Sequence, residues 1–390
     1  MTAALDSNAN NWAPPSAQNG SILPGDLREW RWNLRDGLRS ISTLERVRKC
    51  GRVPIAETIG LRLTGDGEHA GYAGLATCGS VWACPTCSGK VMTRRGVEIA
   101  AAISWGFEHG YRVVMATATV RHHAGLPLSE LIPAVMHGWR RVTNGKSWKL
   151  DRERIGLVGW VRSLEILHNR RNGWHPHIHA LFIVRDDFSR SDTEEFGKRL
   201  FTRWLAGLNR HGFDAEPIGQ RVDLITRDTP AERLGTYLTK AGLPAADALG
   251  YEMTSTASKT GRSIGRTQWE LAAGAVAKTG RDRLHWANFE FATHGRRQLG
   301  WSRGLRDLAG VGREETDEDI AAEETGTDDD SIGYLTRTGW GELCRTPGLP
   351  VVLLRVAEQG GWPQVAAVLD EYGIEYVEAE RQRENGHRQD

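Results

Sequence analysis

The densest chemistry in the sequence lies in residues 174–184, WHPHIHALFIV. Side chains alternate between the two faces of a strand, so His175, His177 and His179 project from one face and Pro176 from the other. Imidazoles gathered on one face can converge on a divalent metal ion. The competing reading is a row of surface or stacked histidines; the period of two and the solid apolar run that follows favour the metal. A further ligand must come from a neighbouring element, and the preceding stretch IGLVGWVRSLEIL supplies Glu165, with His168 just beyond it. Hairpin register chooses between them. A five-residue NRRNG loop pairs 168 with 174 and sets Glu165 opposite His177. A two-residue Asn172-Gly173 type I′ turn pairs 171 with 174 and brings His168 opposite His177 instead. Glu165 is favoured, because a carboxylate suits the hard cations of phosphate chemistry, Mg²⁺ or Mn²⁺.

A second chemical element follows at Tyr237, with Lys240 three residues on and on the same face of an expected helix. A phenol titrates near pH 10, and a nearby cation eases phenolate attack on a phosphate. Taken alone, Tyr-x-x-Lys more often marks a half-buried tyrosine beside a solvated lysine.

A third element is Cys50, Cys78, Cys84 and Cys87, of which Cys84-Pro-Thr-Cys87 is the C-x₂-C knuckle of zinc sites. Four thiolates would close a structural Zn²⁺ site. The rival reading, a redox C-x-x-C, lacks the βαβ setting such motifs occupy. Cys344 stands apart and is read as inert.

These groups need positioning elements. YRVVMATATV from 111, the stretch from 155 to 167 and the histidine segment read as strands, and GQRVDLIT from 219 as a fourth. LSELIPAVMHGWRRV from 128 and SDTEEFGKRLFTRWLAGL from 191 read as helices, the latter with a capping box at Ser191 and Glu194. Residues 96–110 read as a further helix. TPAERLGTYLTKAG, holding Tyr237, has Thr229 as N-cap, Pro230 at N1 and Gly242 as its stop. The order β-α-β-β-α-β is the ferredoxin-like arrangement within an α+β fold, with a four-cysteine zinc module preceding or inserted and a small helical C-terminal appendage. The expected division is a disordered leader over 1–25, a zinc module over 26–95, a catalytic core over 96–246, a basic extension over 247–312, an acidic linker over 313–330 and a helical C-terminal region over 331–390.

The net charge of +1 conceals an asymmetry. From residue 311 on there are 7 Lys+Arg against 19 Asp+Glu, a balance of −12, which leaves +13 for the remainder. A basic body with an acidic tail suits a polyanionic partner. Arg94, Arg95, Arg262, Arg266, Arg296, Arg297 and Arg303, with tryptophans interspersed, are the candidate DNA contacts. No apolar run is long enough to span a membrane and no export signal opens the chain, so the reading is a cytoplasmic protein with reduced cysteines.

The combination of an apolar strand (VVMATATV), His177-Ile178-His179 and Tyr237-x-x-Lys240, in that order, resembles the HUH endonuclease superfamily, specifically rolling-circle plasmid replication initiators of the single-tyrosine type. RVRKCGRVP, CGSVWACPTCSGKV and GRRQLGWSRGLR extend the likeness to initiators of actinobacterial plasmids, over roughly residues 45–310. The resemblance implies that His177, His179 and Glu165 hold the catalytic metal, with His175 beside them. It further implies that Tyr237 attacks the scissile phosphate to leave a 5′-phosphotyrosine and a free 3′-OH, and that Lys240 positions the phosphate or the phenol. It implies plasmid origin DNA, duplex and single-stranded, as partner, together with a host helicase and polymerase. Relatives often carry a glutamate four residues before the tyrosine as base for the terminating step; here position 233 is arginine, and Glu232 and Asp228 are the candidates. Tyr334, in a local echo of the Tyr237 segment, lacks the strand context and is read as a decoy. Two alternatives stand beside this reading. A relaxase or single-strand transposase would share the chemistry, but family relaxases usually place tyrosine before the histidines. A non-catalytic zinc regulator would leave the aligned histidines unexplained.

Overall fold

The computed structural model describes residues 24–225, 227, 228, 234, 238 and 265–378. Residues 1–23 of the expected leader, and Glu232, Tyr237, Lys240 and Arg262, lie outside the described residues, while α1 already begins at Pro24. In chain order come helices α1 (Pro24–Leu38) and α2 (Glu45–Lys49), strands β1 (Thr58–Leu63) and β2 (Ala70–Ala73), helix α3 (Pro85–Glu108), strand β3 (Arg112–Thr119), helices α4 (Leu128–Val142) and α5 (Lys146–Arg154), strands β4 (Gly159–Asn169) and β5 (Gly173–Val184), helix α6 (Arg190–Asn209) and strand β6 (Arg221–Ile225). Later come short strands β7 (Leu299–Trp301), β8 (Ser331–Thr336) and β9 (Tyr376–Glu378), among helices that include Asp282–Thr293 and Leu349–Glu371. The chain is thus α+β, with two antiparallel sheets falling in two compact units.

The first unit comprises the described residues up to Ser88, Val276–Thr279 and those from Thr316. Its sheet runs β2-β1-β8-β9, so strands remote in sequence share one ladder, Ile59 opposite Leu335 and Gly60 opposite Tyr334. Ile59, Leu61, Leu335, Trp340, Leu353, Leu354 and Leu369 form its core. The stretch beyond 331, expected as a helical appendage, therefore contributes strands to a common sheet and packs the helix Leu349–Glu371 over it. Glu358 on that helix takes both guanidinium nitrogens of Arg28, at 2.5 and 2.6 Å, and accepts from the Ala70 N–H at 2.8 Å. Within the acidic stretch 313–330, Thr316 caps a short helix (Asp317–Ala322), and Arg62 pairs with Glu324 and Asp328.

The second unit holds Gly89–Ala275 and Gly280–Glu315, so far as these are described. Its sheet order is β6-β3-β5-β4-β7, every neighbouring pair antiparallel. The intervening helices α4 and α6 lie on the face presented by Phe182: Trp139 of α4 meets Phe182 and Trp160, and Phe196 of α6 meets Phe182 edge-on at 5.2 Å. The two helices approach closely because both carry glycine at the crossing. A Cβ on Gly207 would lie 2.7 Å from the Gly138 Cα, and one on Gly138 2.9 Å from the Trp204 ring. Helix α6 begins two residues earlier than expected, capped reciprocally by Ser189 and Asp192 rather than by Ser191 and Glu194. Both boxes obey the same rule; the earlier one adds Arg190 and Ser191 to the helix. Of the expected Tyr237 helix, the described residues Leu234 and Leu238 are helical and buried, four apart on one face.

Candidate metal centre

The β4–β5 hairpin sets the site. Its register pairs His168 with Trp174 and Glu165 with His177. The turn explains why. The Asn169 side chain accepts from the Arg171 and Asn172 N–H groups, at 2.8 and 3.3 Å, and Gly173 alone takes a left-handed conformation, φ +78°. A two-residue type I′ turn would need Asn172 left-handed as well, and among the described residues Lys278 is the one non-glycine with positive φ. A Cβ on Gly173 would also strike the Ala124 Cα at 2.7 Å.

Alternation now places His175, His177 and His179 on the face opposite α4 and α6, with Glu165 beside the last two. Glu165 Oε2 lies 3.1 Å from His177 Nε2 and 2.8 Å from His179 Nε2. Both imidazoles are buried, at 5% exposure each. The other ring nitrogens are anchored: His177 Nδ1 lies 3.1 Å from the His175 carbonyl and His179 Nδ1 3.0 Å from Thr117 Oγ1. A carbonyl only accepts, so His177 Nδ1 donates to it. That leaves Nε2 as the ring atom facing the carboxylate oxygen, the arrangement a metal ion between the two could use. Ligands at right angles around an ion with bonds of about 2.1 Å are about 3.0 Å apart, which the observed separations match. The donor set of two imidazoles and a carboxylate fits a divalent ion, with each histidine oriented from behind.

The remaining histidines stand apart. His168 points to the other face and is 4% exposed, packed edge-on against Trp174 at 4.6 Å and tilted against His285 at 4.2 Å between ring centroids. Burial, then the His285 and Arg266 charges, push it down to about 4. His175 is outside the three-residue ligand group; its ring meets His122 at 4.5 Å, and burial with the neighbouring His177 and His122 pushes it down to about 2. Thr117 and His122 were missed in the sequence. Thr117 sits in the alternating run ATAT, but only the β3–β5 register, Thr117 opposite His179, reveals its partner.

In the first unit Cys50, Cys78, Cys84 and Cys87 converge, all buried and none in a disulfide. Sulfur separations are 3.7 Å for Cys50–Cys84, 3.4 Å for Cys50–Cys87 and 3.6 Å for Cys78–Cys87. A tetrahedral ion with 2.3 Å bonds to sulfur would space its ligands about 3.8 Å apart. Burial opposes ionisation of Cys84, yet the contacts from Cys50, Cys78 and Cys87 hold its thiol well below the ordinary value. The Cys50 contact pushes both Cys78 and Cys87 up. Arg35, 3% exposed, adds a buried cation whose guanidinium fills the space that a Cβ on Gly51 would need.

The candidate DNA arginines divide. Arg95 is 4% exposed, paired with Glu98 at 3.1 Å and donating to the Glu315 carbonyl at 2.6 Å. Arg266 makes two 2.7 Å bonds to Asp282. Both are engaged internally. Arg94 reaches Glu315 at 3.3 Å from an exposed position, and Arg296 donates to the Ala292 carbonyl. Arg297 is four-fifths exposed, and Arg303 is exposed. Tyr334 lies on β8 in the first unit, whereas Glu165, His177 and His179 belong to the second. No helix among the described residues is long and apolar enough to cross a membrane.

Comparison with known proteins fits this geometry. A "Protein rep" of Streptomyces lividans is 26% identical over 356 residues, covering 73% of this chain and 76% of that protein. A "Neomycin resistance protein" of Streptomyces cyanogenus is 28% identical over 220 residues, 48% of each chain. No solved structure matches. Residues 74–205 match the model of a family described as replication protein, and span β3, β4 and β5 with His177, His179 and Glu165. The chain is thus similar to these streptomycete proteins, and its residues 74–205 to a replication-protein family.

Proposed function

We propose that the protein initiates rolling-circle replication of a plasmid by nicking one strand at the origin. The observation that carries this reading is the pair of Nε2 atoms from His177 and His179 converging on Glu165 Oε2. The strand order is that of a ferredoxin-like core, β-α-β-β-α-β with the fourth strand beside the first and the third between the first and second. That supports an HUH endonuclease core with β7 added at one edge. Mg²⁺ or Mn²⁺ at this centre would act as Lewis acid and template for the scissile phosphate. Thr117 and the His175 carbonyl orient the two imidazoles so that each Nε2 faces Glu165. The Tyr237 oxygen forms a bond to phosphorus as the bond to the 3′ oxygen breaks; the strand is left with a 3′-OH primer and a 5′-phosphotyrosine. Lys240 is the positioning cation. Glu232 or Asp228 serves the terminating step. Zn²⁺ on the four cysteines is the structural metal of the first unit. Arg297 and Arg303 remain the strongest candidates for phosphate contact, with Arg94 in exchange with Glu315. The protein would act in the cytoplasm, handing the nicked origin to a helicase and a polymerase of the host.

A trapping experiment tests this. Labelled single-stranded DNA from the candidate origin is incubated with the protein and Mn²⁺ or EDTA, then run on a denaturing gel. The reading expects a shifted, Mn²⁺-dependent band absent from Tyr237→Phe. A band that survives in Tyr237→Phe moves the nucleophile elsewhere; no band on any origin fragment rejects the nicking mechanism.

A further inference from the structure

The helix Asp282–Thr293 has an unusual division of its charges. Both of its carboxylates face inward: Asp282 is 3% exposed and held by Arg266, and Glu290 is 1% exposed. Its exposed side chains, together with the N-cap residue, are Arg281, Arg283, Leu284, Asn288 and Phe291. Leu284 is 59% exposed and Phe291 76%. At 100° per residue, Arg281, Leu284, Asn288 and Phe291 fall within about 80° of arc, along a stripe about 15 Å long.

This stripe lacks a negative charge and ends on a bare aromatic ring. Two apolar side chains fall far short of the roughly 800 Å² per partner of a stable protein interface. A cation, an amide with both donor and acceptor, and a flat ring in series suit a polyanion that also offers flat apolar faces. Duplex DNA conceals its base faces in the stack, so the match is to unpaired bases.

We propose that the outer face of this helix is a docking site for single-stranded DNA, in which Phe291 stacks on a base, Asn288 reaches a base edge, and Arg281 contacts the backbone. The site deepens the replication-initiator reading and rests on it. It lies on a different element from β4 and β5 and requires no metal.

The test uses the full chain in EDTA, so that no strand is cut, with a fluorescein-labelled thymidine oligonucleotide and a duplex of equal length as probes. Anisotropy across a salt series gives affinity and salt slope. Phe291→Ala should weaken single-strand binding about tenfold or more while leaving duplex affinity and the slope unchanged. Phe291→Trp should retain binding. Arg281→Gln should reduce the single-strand slope by about 0.7, the value for one phosphate contact. Equal single-strand affinity of Phe291→Ala and wild type overturns the docking site alone. Failure of the wild type to bind single strands overturns the site, while the initiator reading is decided separately by the Mn²⁺-dependent trapping on origin DNA. A shift in sedimentation on Phe291→Ala assigns the stripe to self-association and overturns the site.

Discussion

Thr117 and His179 are joined across the β3–β5 ladder, Oγ1 3.0 Å from Nδ1, and this contact selects which ring nitrogen faces Glu165. Thr117 touches no metal ligand atom directly; it acts by orienting the ring. Thr117→Val keeps the shape and removes the acceptor. Mn²⁺ affinity, measured by titration calorimetry, should fall by about 10- to 100-fold with the fold intact by circular dichroism. Unchanged affinity would show that the hydroxyl has no orienting role.

The cysteine cluster leads to a prediction about metal and stability together. Zinc content by mass spectrometry should be about one per chain in the wild type and be lost in Cys84→Ser. A strong chelator should lower the melting temperature of the wild type but not of that variant. Identical chelator sensitivity in both would remove zinc from the account.

Gly173 combines a positive φ with a backbone neighbour at 2.7 Å, so it tolerates no side chain. Gly173→Ala should destabilise the second unit by about 1–3 kcal/mol and weaken Mn²⁺ binding, because the turn holds Glu165 opposite His177. A urea midpoint equal to wild type would argue that the turn rearranges freely.

Acid should destabilise the protein through His168. Its folded value of about 4 lies below the ordinary 6.5, since burial, His285 and Arg266 all disfavour the imidazolium. Between those values the unfolded chain binds a proton that the folded chain refuses, so this contribution is complete above about pH 6.5 and drains away as pH falls toward 4. His285 is lowered by burial and adds in the same direction. Urea midpoints taken at pH 7.5 and pH 5 should differ less in His168→Asn than in wild type.

Much of the second unit is legible in the sequence because its signals are local. β-Branched runs mark β3 and β5, and Asn169 and Gly173 contain the turn chemistry that chooses between the two registers. The Asn172-Gly173 dipeptide points the other way, and what defeats it is the Asn169 side chain capturing two backbone N–H groups. Thr117 and His122 are not legible, since their partners are set by pairing across strands. The internal pairing of Arg95 with Glu98 and of Arg266 with Asp282 is likewise invisible: an arginine bound to a buried carboxylate reads the same as one bound to phosphate. The first unit is the least legible. β1 and β8 are joined by no local signal, only by the burial of Ile59 and Leu335 in the same core.

That β1–β8 ladder gives synthesis of the protein a fixed order of completion. Strands β3 to β6 of the second unit follow one another in the chain and can pair while translation continues. β1 leaves the ribosome early, yet its second edge stays bare until β8 has been made. The cysteines gather in the same waiting unit. A nascent chain interrupted before β8 would carry an unpaired strand edge and a half-built thiolate nest, the kind of surface that chaperones hold and proteases clear. Only a chain translated through β8 seals that edge, so the ladder doubles as a check that the message was read at least that far.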